Sequence, residues 1–309
     1  MMTRFQSFAI AALVLSLTAC SSDDTPSADD VGKERPISLS VGIGELNVVT
    51  RASQAFTPSG GQLGLYITAN GSKNTDKYVC TNAKFTYSSY SNNWSCPNTY
   101  YWASDNATIE YIAYYPYSDS GFDSDWDYPN STYIYSLMWD RTSANPDLLW
   151  QSASATNATS TTLPITLQHA CAKLTVNVKR FGSEIASGVN VTGMTLSNMS
   201  KKGKFYLSGS DAGTWEPGHQ YEDITLQSAT TSEGAVATFE TILIPETIAT
   251  TLSITLDNST TYQLAIPSQE YKRGTNYTLT IQVGQDQVTA GEITQTPWVD
   301  GGSYDLTAQ

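Results

Sequence analysis

The chain has 309 residues, enough for two domains that each bury a core of their own. Charged residues make up only 15% of it while Ser, Thr, Asn and 19 Tyr abound, a composition poor for helices and good for exposed β-sheet. The formal net charge of −13 argues against nucleic acid as a partner, since that needs clustered Lys and Arg, and fits solubility at a crowded surface.

Residues 1–19 read as targeting sequence. Arg4 supplies a positive start, residues 5–15 an apolar run, and Leu17-Thr18-Ala19-Cys20 an ending. The apolar run is shorter than the ~20 residues a bilayer span requires. Leu-Thr-Ala-Cys resembles a bacterial lipobox, which implies cleavage before Cys20, acylation of its thiol and anchorage in outer-membrane lipid. Ser21-Ser22-Asp23-Asp24 is similar to the acidic tag that sends lipoproteins to the outer face of the cell. Residues 20–36 then form a polar tether with no core to offer.

The stretch 37–52, ISLSVGIGELNVVTRA, is the first with fold in it. Ile37, Leu39, Val41 and Ile43 alternate with Ser38, Ser40, Gly42 and Gly44, the period of a strand with one buried face. Full burial of four such side chains is worth about 6–12 kcal/mol, comparable with the about 5–15 kcal/mol of a whole domain. Arg51 and Ala52 follow in a polar stretch open to a trypsin-like protease. A strand cut free there stays seated until an equivalent strand replaces it.

Short alternating runs recur after it, at 63–67, 109–115, 133–137, 163–167, 174–178, 194–196, 205–207, 242–244, 252–256, 262–266 and 277–283. Such spacing predicts an all-β chain of antiparallel sandwiches. The run 109–115 is apolar on both parities and reads as a central strand covered on both faces. Leu163, Ile165 and Leu167 are apolar at odd positions, whereas Ala170, Ala172, Leu174, Val176 and Val178 are so at even ones. A strand keeps one parity on one face, so the flip near Gln168 and His169 marks a crossing between cores. It divides the chain into an N-terminal sandwich, 37–168, and a C-terminal one, 169–309. The tail carries Pro297-Trp298-Val299, then Tyr304 and Leu306, as a last short strand segment.

Catalytic chemistry lacks its parts. The two histidines, His169 and His219, have no nucleophile beside them in sequence, and His169 falls in the strand that changes core. No enzymatic activity and no cofactor are expected. Asp123, Asp125 and Asp127 have the opening spacing of a calcium loop, but Tyr128 and Ile134 stand where that loop needs Gly and Glu, so a solvated acidic segment competes with it. Aromatics concentrate at Tyr100, Tyr101, Trp102, Tyr111, Tyr114, Tyr115, Tyr117, Trp126, Tyr128, Tyr133 and Tyr135, either as sheet core or as rings that stack on sugars. Cys80 and Cys96 flank a hairpin and form a candidate disulfide, which leaves Cys171 unpaired. Direct opposition needs a tip at Ser88, whereas the turn-rich residues 88–93 centre two or three places later.

The lipobox, the tether, the first strand and Thr50-Arg51-Ala52 together resemble the fimbrillin family, the type V pilins of Bacteroides-like bacteria. Residues 111–116 (YIAYYP), 147–149 (DLL), 167–178 and 297–301 (PWVDG) carry the same resemblance. It implies two transthyretin-like antiparallel β-sandwich domains in tandem. It also implies export as a lipoprotein, removal of the first strand by an Arg-specific surface protease at Arg51, and homo- or hetero-polymerisation with other pilin subunits by β-strand exchange. Arg35 fits the processing position less well because Pro36 follows it. The alternative is an uncleaved surface lipoprotein that binds glycan or host protein through its tyrosine-rich first domain.

Overall fold

The computed structural model describes residues 35–44, 54–120, 122–127, 132–142, 147–157, 160–180, 190–284 and 288–298. These lie in one compact unit that runs from Glu34 to Gln309. Cys20, the tether up to Lys33, Arg51, Ala52, Tyr128, Tyr304 and Leu306 lie outside the described residues.

The described residues form strands and no helix. In chain order the first are β1 (Arg35–Pro36), β2 (Ser38–Ile43), β3 (Gln54–Ala55), β4 (Gln62–Asn70), β5 (Cys80–Ser88) and β6 (Asn93–Ser95). Next come β7 (Tyr101–Trp102), β8 (Thr108–Tyr115), β9 (Phe122–Asp127), β10 (Thr132–Asp140), β11 (Leu149–Thr156) and β12 (Thr162–His169). They continue with β13 (Ala172–Arg180), β14 (Val191–Ser200), β15 (Lys202–Tyr206), β16 (Trp215–Pro217), β17 (Tyr221–Thr225) and β18 (Gln227–Ala229). The last are β19 (Ala237–Leu243), β20 (Thr247–Leu256), β21 (Thr261–Glu270), β22 (Thr275–Val283) and β23 (Val288–Pro297). Every alternating run read from the sequence after residue 52 overlaps one of these strands, with Leu207 and Ile244 falling one residue past β15 and β19.

An eight-stranded sheet, ordered β3-β2-β12-β11-β8-β4-β5-β6, curls until its ends approach, with β2 in contact with β6. Inside it lies a first core that includes Leu63, Leu65, Phe85, Ile109, Leu163 and Ile165. A five-stranded sheet, β18-β19-β13-β22-β23, and a four-stranded one, β17-β14-β20-β21, share a second core around Leu174, Val176, Leu196, Leu252, Ile254 and Leu279. β8 pairs on both sides and is covered on both faces: Ile109, Tyr111 and Ala113 join the first core, Ile112 and Tyr114 a third.

The change of parity near His169 does what a period-2 element must when it leaves one core for another. Leu163, Ile165 and Leu167 sit in the first core, Ala170 and Cys171 in the third, and Ala172, Leu174, Val176 and Val178 in the second. The crossing takes two residues.

Three features differ from the sequence expectation. First, the sheets are not wholly antiparallel: β2 runs parallel to β12 and β13 parallel to β22. Each strand opens its half and returns to a strand formed late in that half, a long crossover that parallel pairing requires. Second, the two halves are not simply strung in tandem. The four-stranded sheet β16-β15-β10-β9 takes two strands from each, with Leu137 opposite Phe205. The third core, which includes Leu137, Trp139, Trp150, Phe205 and Trp298, lies beneath it. Third, the tether ends two residues early. Arg35 and Pro36 form β1 against Tyr101 and Trp102, and the half-buried Arg35 guanidinium pairs with Asp105 at 3.1 Å.

Candidate functional site

The seat of the first strand is the site to which the sequence points. Alternation puts Ile37, Leu39, Val41 and Ile43 against the first core and leaves Ser38 and Ser40 exposed. In register, Leu39 lies beside Leu163, Val41 beside Ile165 and Ile43 beside Leu167. Val41 is buried while the other three are half-buried. The strand's apolar face is therefore worth somewhat more than half of what four full burials would give, about 4–7 kcal/mol.

Backbone bonds extend the seat past both ends of the ladder. The Ile37 N–H donates to Tyr100 O at 2.8 Å, and the Gly44 N–H to Leu167 O at 2.9 Å. On the other edge β3 covers only Gly42 and Ile43, and the Phe56 N–H donates to Val41 O at 2.8 Å. Gly44 is demanded by close approach: a Cβ there would lie 2.6 Å from Thr166 Cγ2.

What sequence reasoning missed is the state of β12. It pairs with β11 only at Leu149–His169 and Trp150–Gln168, and then the two strands diverge. Side chains bridge the gap. The Thr166 N–H donates to Gln151 Oε1 at 2.6 Å, and the Tyr111 hydroxyl donates to Pro164 O at 2.7 Å. Over residues 162–167, β2 is thus the ladder partner of β12 among the described residues. Burial pushes the Tyr111 phenol up to about 12, so it stays a neutral donor here. A lone Tyr and Gln in alternating strands gave no signal of this bridge.

The remaining candidates are placed plainly. Cys80 and Cys96 are free thiols. Thr86 faces Ser95 and Ser88 faces Asn93, a register that sets Cys96 beyond the ladder and not opposite Cys80. The Cys80 thiol donates to Leu65 O at 3.4 Å, and burial pushes it up to about 12. Asp123, Asp125 and Asp127 lie along strand β9 rather than in a loop, and Lys204 Nζ lies 3.4 Å from Asp125 Oδ2. Among the described residues no group of His, Cys, Asp or Glu is arranged to hold a metal.

His169 Nδ1 lies 2.8 Å from Asp147 Oδ2, and Cys171 follows two residues on. This is not a nucleophilic constellation: Cys171 is fully buried, and desolvation, with Asp147 nearby, raises its thiol well above the usual range. A nucleophile needs the opposite shift. His219 is exposed in the bend after β16. Of the aromatic group, Tyr100, Trp102, Tyr111 and Tyr114 are core. The Trp102 indole N–H donates to Thr161 O at 2.8 Å, and Lys77 Nζ lies 4.7 Å over the Tyr101 ring. The backbone of these two residues pairs with β1. Tyr133 is 52% exposed.

The fold has relatives of known structure. A cell adhesion protein from Bacteroides uniformis, so named tentatively in its own description, matches with a TM-score of 0.62 at 18% identity, over 86% of this chain and 99% of that one. A fimbrial protein from Bacteroides vulgatus matches with a TM-score of 0.57 at 19% identity, over 86% of this chain and 100% of that one. At these identities the likeness is one of fold. No match is found among curated protein sequences. The model of a family described as fimbrillin-like matches residues 50–298. The matched segment spans most of the chain, and the protein belongs to the fimbrillin-like family.

Proposed function

We propose that this protein is a structural subunit of a cell-surface fimbria. It is exported as an outer-membrane lipoprotein acylated at Cys20, cut by an Arg-specific protease between Arg51 and Ala52, and polymerised by β-strand exchange with other pilin subunits. The observation that carries this reading is the seat of β2. The strand precedes Arg51 in sequence, fills an apolar slot with Val41, and is the ladder partner of residues 162–167. The family match, which starts at residue 50, begins after it.

The energetics favour replacement over loss. Departure of β2 exposes Leu163, Ile165 and Leu167 and strands the backbone groups of β12 that face it. An incoming strand with alternating apolar side chains restores both. Arg35, held in β1 by Asp105, is a poor competitor for the protease. We read the chain as two sandwiches, 37–168 and 169–309, with the junction at Gln168 and His169. The third core and the sheet shared by β10 and β15 hold them together.

Intact mass of the protein recovered from the cell surface tests the scheme. A mature form beginning at Ala52 and residing in polymers is expected. A monomer that keeps an acylated Cys20 at its start would overturn it and favour an uncleaved adhesin.

A further inference from the structure

A groove of about 620 Å³ lies on the outer face of the eight-stranded sheet, and the assembly reading makes no use of it. It opens where the shared sheet stops covering β4, β8 and β11. On that face Tyr66, Ile112, Tyr114 and Trp150 are buried in the third core, while Thr68, Glu110 and Ser154 beyond them are exposed. Those three polar side chains form the floor. Tyr133 and Tyr135, two apart on β10 and so on one face of it, form a wall, and Thr81, hydrogen-bonded to Tyr135, completes the lining beside it.

The wall is held in place. The rings of Tyr133 and Tyr135 are 6.3 Å apart and 24° from parallel, and Tyr135 packs on Tyr66 at 4.9 Å. The Tyr135 N–H donates to Ser208 Oγ at 2.8 Å, and the Leu207 N–H to Tyr135 O at 2.8 Å. A wall braced on both sides loses little freedom when a ligand arrives.

We propose that this groove binds a neutral saccharide. The size falls within the about 300–1,000 Å³ of small-molecule sites. β4 and β8 have ladder partners on both sides along the floor, so a peptide strand laid over them finds no edge to extend. Recognition must come from side chains. Tyrosine rings offer amphipathic faces to the C–H side of a sugar ring, and Thr, Ser and a carboxylate take its hydroxyls. Glu110 is the charged residue of the lining, in a chain whose formal net charge is −13. With no Lys, Arg or His among the lining residues, acidic sugars and other polyanions are repelled.

The test is binding of the full chain to a printed array of neutral and sialylated oligosaccharides. It is repeated with Tyr133→Ala, Glu110→Gln and, as a control, Tyr90→Ala, which removes a fully exposed ring from the β5–β6 turn. Neutral glycans should bind, and Tyr133→Ala should weaken them about tenfold at unchanged melting temperature. Tyr90→Ala should have no effect, and Glu110→Gln should narrow the preference for neutral over sialylated glycans. Three results would overturn the proposal: no neutral glycan above background, undiminished binding by Tyr133→Ala, or preference for sialylated glycans in the unaltered chain. Monomeric protein suffices, so the outcome is independent of cleavage and assembly.

Discussion

The indole of Trp298 lies flat on the imidazole of His169, ring centroids 3.7 Å apart and planes 5° from parallel. Asp147 fixes the imidazole at Nδ1, Lys173 Nζ lies 6.0 Å over the indole, and the backbone N–H of Trp298 donates to Gly274 O at 2.9 Å. The end of β23 is thereby tied to the point where the chain crosses between cores. Trp298→Ala removes a buried ring and should lower stability by about 3–5 kcal/mol, read from the urea midpoint.

The sheet shared by β10 and β15 makes the halves interdependent. Expressed alone, residues 37–168 would present Leu137, Tyr114 and Trp150 to water without Phe205 or Trp298 above them. The full chain should therefore unfold in one cooperative transition by both tryptophan fluorescence and circular dichroism. The separated N-terminal half should bind a hydrophobic dye and melt without a sharp transition.

Val41 and Ser40 are neighbours on β2 with opposite fates. Val41→Asp drives a carboxylate into the first core and should cost about 3 kcal/mol or more, with amide-exchange protection lost first along β12. Ser40→Asp lands on the exposed face and should stay within about 0.5 kcal/mol. Equal effects would mean that β2 has no buried side.

Alkaline pH should unfold the protein before backbone chemistry does. Burial pushes the Tyr111 and Tyr271 phenols up to about 12 from an unfolded value near 10. Between those values the unfolded state has released protons that the native state still holds, so stability falls as pH rises, by up to about 1.4 kcal/mol per pH unit per group. Urea midpoints taken from pH 8 to 11 should be flat below pH 9 and decline above 10. Tyr111→Phe should start lower, since Pro164 O loses its donor, and decline less steeply.

Much of this was legible in the residues. Alternation located about half of the strands but not β5, β11 or β23, the apolarity of 109–115 on both parities marked β8 as doubly covered, and the flip at Gln168 and His169 marked the change of core, because a strand's period of two ties sequence position to face. The acylation proposed at Cys20 and the cleavage proposed at Arg51 rest on the sequence alone. What periodicity cannot encode is which strand lies beside which. The parallel partnership of β2 with β12, the loan of β10 and β15 to a common sheet, and the groove walled by Tyr133 and Tyr135 each join strands that are not neighbours in sequence. Those pairings follow from how the sheets close over three cores, and side-chain bridges such as Tyr111 to Pro164 exist only once that closure has brought the strands together.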